Sequence, residues 1–170
     1  MRVITAPDLD ANRRSSSIVV FLAGGISGCS NWQDEVINKL DALSNYHNLS
    51  NVAIYNPRRE DFDTAKREDT IEQIKWEYCY LKQCDIFSVF FSASESVQPI
   101  TLYELGTYGH GYGNPCRETI VTVQKGYKRE QDVLIQCALD SIPVNHIAGE
   151  EAIECHAQSI VNAINKWRKK

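Results

Sequence analysis

The stretch Ile18-Val19-Val20-Phe21-Leu22-Ala23-Gly24-Gly25 decides the fold. A continuous apolar run closed by a glycine pair is the pattern of a strand buried on both faces. Asn31 caps the helix that follows, predicted from Trp32 to about residue 43, with Trp32, Val36, Leu40 and Leu43 on one face. Downstream the alternation continues. Residues 52–55 form a second strand, ended by Asn56-Pro57 and a charged loop to about Glu68. Asp69 or Thr70 caps a helix to about residue 83, whose apolar stripe is Ile71, Ile74, Tyr78 and Leu81. Residues 85–91 form the third strand. Pro99 opens a helix over 99–110 that Gly109, Gly111 and Gly113 break. A strand at 119–123, a helix at 132–139, a strand at 142–147 and a helix at 150–167 complete the chain.

Strands alternating with helices predict an α/β fold: a single doubly wound, flavodoxin-like parallel sheet of five strands with helices on both faces. The favoured order is 2-1-3-4-5, with right-handed crossovers. Residues 1–17, which include Arg13-Arg14-Ser15-Ser16-Ser17, read as a flexible N-terminal arm, with residues 2–5 a weak strand candidate. Residues 18–170 read as the one folded domain.

The net charge of −4 gives no reason to expect a nucleic-acid polymer as partner. The basic tail, Lys166-Trp167-Arg168-Lys169-Lys170, complements a helix C-terminus. Six cysteines form no Cys-x-x-Cys pair and stand at no metal-ligand spacing from a histidine, so they read as reduced thiols of a cytoplasmic protein. No apolar run nears the ~20 residues that span a bilayer. No metal and no cofactor are expected.

In a doubly wound sheet, ligands bind beyond the carboxyl ends of the strands where the winding reverses. That places the chemistry in residues 24–31, 56–62 and 92–104. Gly24-Gly25-Ile26-Ser27-Gly28 lets backbone N–H groups approach a ligand, though it matches neither the dinucleotide fingerprint nor the phosphate loop. Its plainer reading is a tight strand-to-helix turn. Arg58 and Arg59 suit a phosphate or carboxylate. Their plainer reading is pairing with Glu60, Asp61 and Asp63 in the same loop. Glu104 stands among apolar residues one to two turns into its helix, where the dipole can hold a desolvated carboxylate ionised. Glu77 adjoins the stripe of the preceding helix.

Taken in order, Leu22-Ala23-Gly24-Gly25-Ile26-Ser27, Asn31-Trp32-Gln33, Asn56-Pro57-Arg58-Arg59, Glu72-Gln73-Ile74-Lys75-Trp76-Glu77 and Pro99-Ile100-Thr101-Leu102-Tyr103-Glu104-Leu105-Gly106 resemble the nucleoside 2-deoxyribosyltransferase-like family. The resemblance runs from about residue 18 to about residue 140. It implies cleavage of an N-glycosidic bond in a nucleoside or nucleotide, by hydrolysis or by sugar transfer. It implies Glu104 as nucleophile and Glu77, eight residues before Asp85, as the acid that assists the base. It implies Gly24, Gly25, Ile26, Trp32, Asn56, Arg58, Arg59 and Gln98 at the substrate. Gln98 stands where the better-known branch carries an Asp that helps read the sugar, so a preference for 2-deoxyribose is not carried over. A homo-oligomer, dimer or higher, is expected. The other reading is a non-catalytic nucleotide-binding module on the same fold.

Overall fold

The structure, a computed structural model, describes residues 1–11, 17–60, 66–111 and 113–169. Its strands are β1 (Arg2–Thr5), β2 (Ile18–Gly24), β3 (Val52–Asn56), β4 (Ile86–Phe91), β5 (Glu118–Gln124) and β6 (Val144–Ile147). Its α-helices are α1 (Trp32–His47), α2 (Arg67–Gln83), α3 (Pro99–Tyr108), α4 (Glu130–Leu139) and α5 (Glu151–Trp167). All pairings are parallel, in the order β1-β3-β2-β4-β5-β6.

The sheet therefore has six strands, not five. The five expected strands keep their relative order, and the weak candidate at the N-terminus adds the sixth beside β3, with Arg2 opposite Ala53 and Thr5 opposite Asn56. Four residues with one buried side chain carry little periodic signal, so only the open edge of β3 makes them a strand. Beyond β1, the Arg2 guanidinium grips the Asp10 carboxylate and the Trp76 indole N–H donates to the Asp8 carbonyl at 2.7 Å. Arg13 and Arg14 of the expected arm lie outside the described residues.

Side chains alternate across the buried strands. Val19, Phe21, Ala23, Phe87, Val89 and Phe91 face a core closed by α2, α3 and α4. Ile18, Val20, Leu22, Ile86 and Phe90 face a core closed by α1 and α5. Asn31 caps α1 as expected, accepting the Asp34 N–H, and Pro99 opens α3.

The stripe expected on α2 holds only at Leu81. Ile71, Ile74 and Tyr78 are exposed, whereas Gln73, Trp76, Tyr80 and Leu81 are buried. The aromatic rings decide the orientation. Tyr80 lies 4.3 Å from Tyr55 and 4.6 Å from Trp76, centroid to centroid, and Trp76 also packs near Phe21. Their N–H and O–H groups find partners in the N-terminal segment, so they bury more area than the isoleucines without losing hydrogen bonds. This turn of the helix carries Glu77 inward with them. The cap also differs: α2 begins at Arg67, so Asp69 and Thr70 lie inside it.

The second core holds one polar chain. The His156 imidazole, fully buried on α5, bonds the Ser88 hydroxyl on β4 and the Thr122 hydroxyl on β5, both at 2.8 Å. Its ring meets Trp32 and Phe90 edge-on. Burial pushes its pKa from 6.5 down to about 3. A depressed histidine contributes stability that is present above its unfolded pKa and lost as pH falls through the 6.5-to-3 window. Denaturant titrations at several pH values should therefore show wild-type stability falling relative to His156→Asn below about pH 6.5. The relative change approaches tenfold in folding equilibrium per pH unit. Parallel curves for the two proteins would mean that His156 is protonated in the fold.

Candidate active site

The three loops that leave β2, β3 and β4 at their carboxyl ends meet around a cleft of about 360 Å³. This lies within the ~300–1,000 Å³ usual for small-molecule sites. Gly24, Gly25 and Ile26 line it from the first loop, Gln98 from the third, Glu77 from α2 and Glu104 from α3.

The first loop is fixed on both sides of Gly25. The Trp32 indole N–H donates to the Gly25 carbonyl at 3.0 Å, and the Gly25 N–H donates to Gln98 Oε1 at 3.1 Å. Gln98 Nε2 then donates to the Ser92 carbonyl at 2.8 Å, which ties the loop after β2 to the end of β4. To reach both partners Gln98 takes a left-handed backbone, φ 48° and ψ 56°, rare for a residue with a Cβ. The glycines serve close packing. A Cβ on Gly24 would stand 2.4 Å from the Trp32 ring, and one on Gly25 would stand 2.4 Å from Cys29 Sγ. The expectation that Gly25 offers its N–H to a ligand is thus corrected, because Gln98 already takes that hydrogen bond.

Four expected substrate contacts do not line the cleft: Trp32, Asn56, Arg58 and Arg59. Trp32 is fully buried and stacked on Phe90 at 5.0 Å. The Asn56 side chain accepts the Arg58 N–H at 3.0 Å. The Arg58 guanidinium donates to Gln33 Oε1 at 2.8 Å and to the carbonyls of Ile26, Cys29 and Ser30. It staples the loop after β2 where a phosphate contact was expected. Arg59 pairs with Glu72 at 2.9 Å. Both arginines are thus engaged by protein groups. Glu72, one of these partners, was not foreseen, and Asp61 and Asp63 lie outside the described residues.

The acids do converge. Glu104 is buried, and burial first, then repulsion from Glu77, raises its pKa well above the ordinary value of 4.5. Burial also raises Glu77, opposed by a hydrogen bond from Gln73 Nε2 at 2.8 Å. The helix dipole was expected to hold Glu104 ionised. It does not prevail, because Glu104 sits beyond the first turn of α3, where the dipole fades, and because a second carboxyl shares the cleft. Two carboxyls that share a cleft titrate as a pair and not as independent groups. Gln73 is the residue that the sequence reading missed. Its signal was the i, i+4 spacing to Glu77, legible only once α2 is known to turn that face inward. Among the described residues, no three His, Cys, Asp or Glu side chains converge to hold a metal ion.

A raised carboxyl pKa has a definite cost. The Glu104 contribution to stability is greatest below about pH 4.5, where the group is protonated in both states, and falls as pH rises toward its folded pKa. Glu104→Gln should therefore raise Tm at pH 7.5, with the gap closing as pH falls to about 4.5. A variant that melts below the wild type at neutral pH would show that Glu104 is held ionised by the fold.

A family model described as "Nucleoside 2-deoxyribosyltransferase like" matches residues 17–127. No curated protein matches the chain. Among solved structures, a NAD(P)H:quinone oxidoreductase from Methanothermobacter marburgensis aligns at 13% identity with a TM-score of 0.40, over 87% of this chain and 98% of that one. The family match covers more than half of the chain and spans the glycine loop, both acids and the strand ends that surround them, and on it the chain belongs to the nucleoside 2-deoxyribosyltransferase-like family.

Proposed function

We propose that this chain cleaves the N-glycosidic bond of a nucleoside or nucleotide through a glycosyl ester on Glu104. The observation that carries the reading is the pair of carboxyls, buried Glu104 and half-buried Glu77, brought by two helices to one cleft at the sheet's switch point. Breaking the C1′–N bond sends its electron pair to the base, which takes a proton from Glu77. C1′ gains oxocarbenium character, and a Glu104 carboxylate oxygen bonds to it. Water then attacks C1′, gives a proton to Glu77 and releases Glu104. A second base attacking through a ring nitrogen gives sugar transfer instead. The reactive form carries one proton, on Glu77. The forming cation at C1′ favours this form, because it lowers the energy of ionised Glu104.

With Arg58 and Arg59 engaged by protein groups, they give no reason to prefer a nucleotide over a nucleoside. The reading includes a homo-oligomer in the cytoplasm. Ile74 and Ile100, both exposed and lining the cleft, with the exposed Tyr78 and Tyr103 about one turn further along the same helices, support the oligomer. No described helix is long and apolar enough to cross a membrane.

Glu104→Ala should lower turnover by several orders of magnitude in a protein that stays folded. Glu77→Gln should slow release of an ordinary base by about 10²–10⁴-fold. It should spare a substrate whose base leaves without a proton. Near-normal activity in folded Glu104→Ala would remove the nucleophile assignment, and no turnover of any nucleoside or monophosphate by the wild type would favour the binding module. Stereochemistry tests the covalent step. Two inversions at C1′ keep the β configuration, and a 2′-fluoro substrate with a good leaving base should add one sugar mass to the peptide that holds Glu104. Proton NMR showing the α anomer first, with no adduct, would make Glu104 a general base for water.

A further inference from the structure

Thr101 lines the cleft one turn before Glu104 on the same helix, and the two-acid chemistry does not use it. Its hydroxyl has no hydrogen-bond partner among the described residues. Two unpaired polar atoms there are sealed within the protein, Gln33 Nε2 and Gln73 Oε1, and the Thr101 oxygen is not one of them. The 3% of this residue that stays open therefore includes its hydroxyl, and the cleft is the space it lines. A hydroxyl on a helix ordinarily bonds back to the carbonyl four residues earlier. Thr70, Thr107 and Ser159 do so, at 3.1, 2.8 and 2.9 Å. For Thr101 that carbonyl belongs to Val97, which precedes α3 and so is not aligned by it. The Tyr127 hydroxyl takes it instead, donating at 2.8 Å. Tyr127 is buried in the turn after β5, with its ring packed on Phe91 at 4.9 Å. Burial pushes its pKa up to about 12, so it remains a donor.

From these contacts we infer that Thr101 holds the sugar: its hydroxyl bonds a hydroxyl on the ring face opposite the base, and Tyr127 keeps it free to do so by occupying Val97. The inference rests on the proposed N-glycosidic cleavage, with Glu104 as nucleophile. A nucleophile that displaces the base reaches C1′ from the side opposite to it. In a β-nucleoside that side is the α face, from which the 2′ and 3′ hydroxyls of ribose project. Side chains three apart on a helix are neighbours, with Cβ atoms about 5–6 Å apart. Thr101 and Glu104 both line the cleft, so the residue one turn from the nucleophile lies along that same α face. Threonine both donates and accepts, so it can pair with either sugar hydroxyl. An oxygen open to water is equally open to a hydroxyl of the same size.

The test measures kcat/KM of the wild type and Thr101→Val for adenosine, inosine, cytidine and uridine, each also as the 2′-deoxy and the 3′-deoxy nucleoside. Valine keeps the shape and removes the hydroxyl. For every ribonucleoside turned over, Thr101→Val should lower kcat/KM by about tenfold or more. It should spare the analogue that lacks the partner hydroxyl, which identifies the 2′ or the 3′ position. Losses within about twofold throughout, or equal losses on all three sugars, would overturn the inference and leave the proposed cleavage standing. Tyr127→Phe should reproduce the same pattern, because the released Val97 carbonyl captures the Thr101 hydroxyl. The double variant should then lose no more than either single one, and additive losses would overturn the role of Tyr127. Thr107→Val, elsewhere on the same helix, should change no rate, with circular dichroism and Tm confirming each fold. Should Tyr127→Phe not fold, Thr101→Val decides alone. A wild type that turns over no nucleoside would count against the cleavage itself, and calorimetry then decides. Each ribonucleoside should bind Thr101→Val about tenfold more weakly than the wild type, and equal binding or none overturns the inference.

Discussion

The site depends on one residue, Gly25, whose two flanking peptides are both held by side chains. The Gly25 carbonyl is held by the Trp32 indole and its N–H by the Gln98 amide, so the loop after β2 has no freedom to rotate. Trp32 is itself fixed by stacking on Phe90, and Gln98 by its bond to Ser92 at the end of β4. The Arg58 staple secures the far side of the same loop from the end of β3. Three strand ends are thus fastened to one another by side chains that do not take part in the proposed chemistry. The left-handed backbone at Gln98 is the strain this fastening carries, and the buried hydrogen bonds on both ends of its amide offset it. A cleft built this way is preorganised: its walls need not order when a ligand arrives.

Into that fixed frame the fold brings two acids that oppose its stability. Glu104 is buried and Glu77 half-buried; burial raises the affinity of both for a proton, repulsion from Glu77 raises that of Glu104 further, and no cation pairs with either among the described residues. A carboxyl that prefers to be neutral in the empty site becomes a strong partner for a positive centre, because water does not compete for it. The same burial that costs stability at neutral pH is what the proposed oxocarbenium-like transition state would use. Across the sheet, the His156 network shows the opposite solution. There a buried titratable group is saturated by two hydroxyls and kept neutral, and it joins β4, β5 and α5.

The orientation of α2 links the two halves of this arrangement. Its buried face runs Gln73, Trp76, Tyr80 and Leu81, so Glu77 enters the cleft as a neighbour of the aromatic cluster over β2 and β3. Had the isoleucines turned inward, the cluster would lose its packing and Glu77 would lie nearer solvent. Packing of Trp76 and Tyr80 thus places a catalytic candidate that neither residue touches chemically.

The sequence by itself determined the winding. Continuous apolar strands separated by helices admit little besides a parallel sheet covered on both faces, and the Gly24-Gly25 pair, Pro99 and Asn31 mark the turns and helix starts by local sterics and capping. It also singled out Glu104, because an acid amid an apolar run stands out without coordinates, whereas Glu77 was marked only by the family resemblance. Tertiary structure alone decided what depends on partners distant in the chain. The strand at residues 2–5 needed the open edge of β3, and the inward face of α2 was chosen by Tyr55 and Phe21 from other strands. Arg58 and Arg59 look like anion ligands in one dimension. In three, the carbonyls at residues 26, 29 and 30 and the Glu72 carboxylate reach them first. Charge and spacing report what a side chain can bond, whereas only the folded chain settles which partner is within 3 Å.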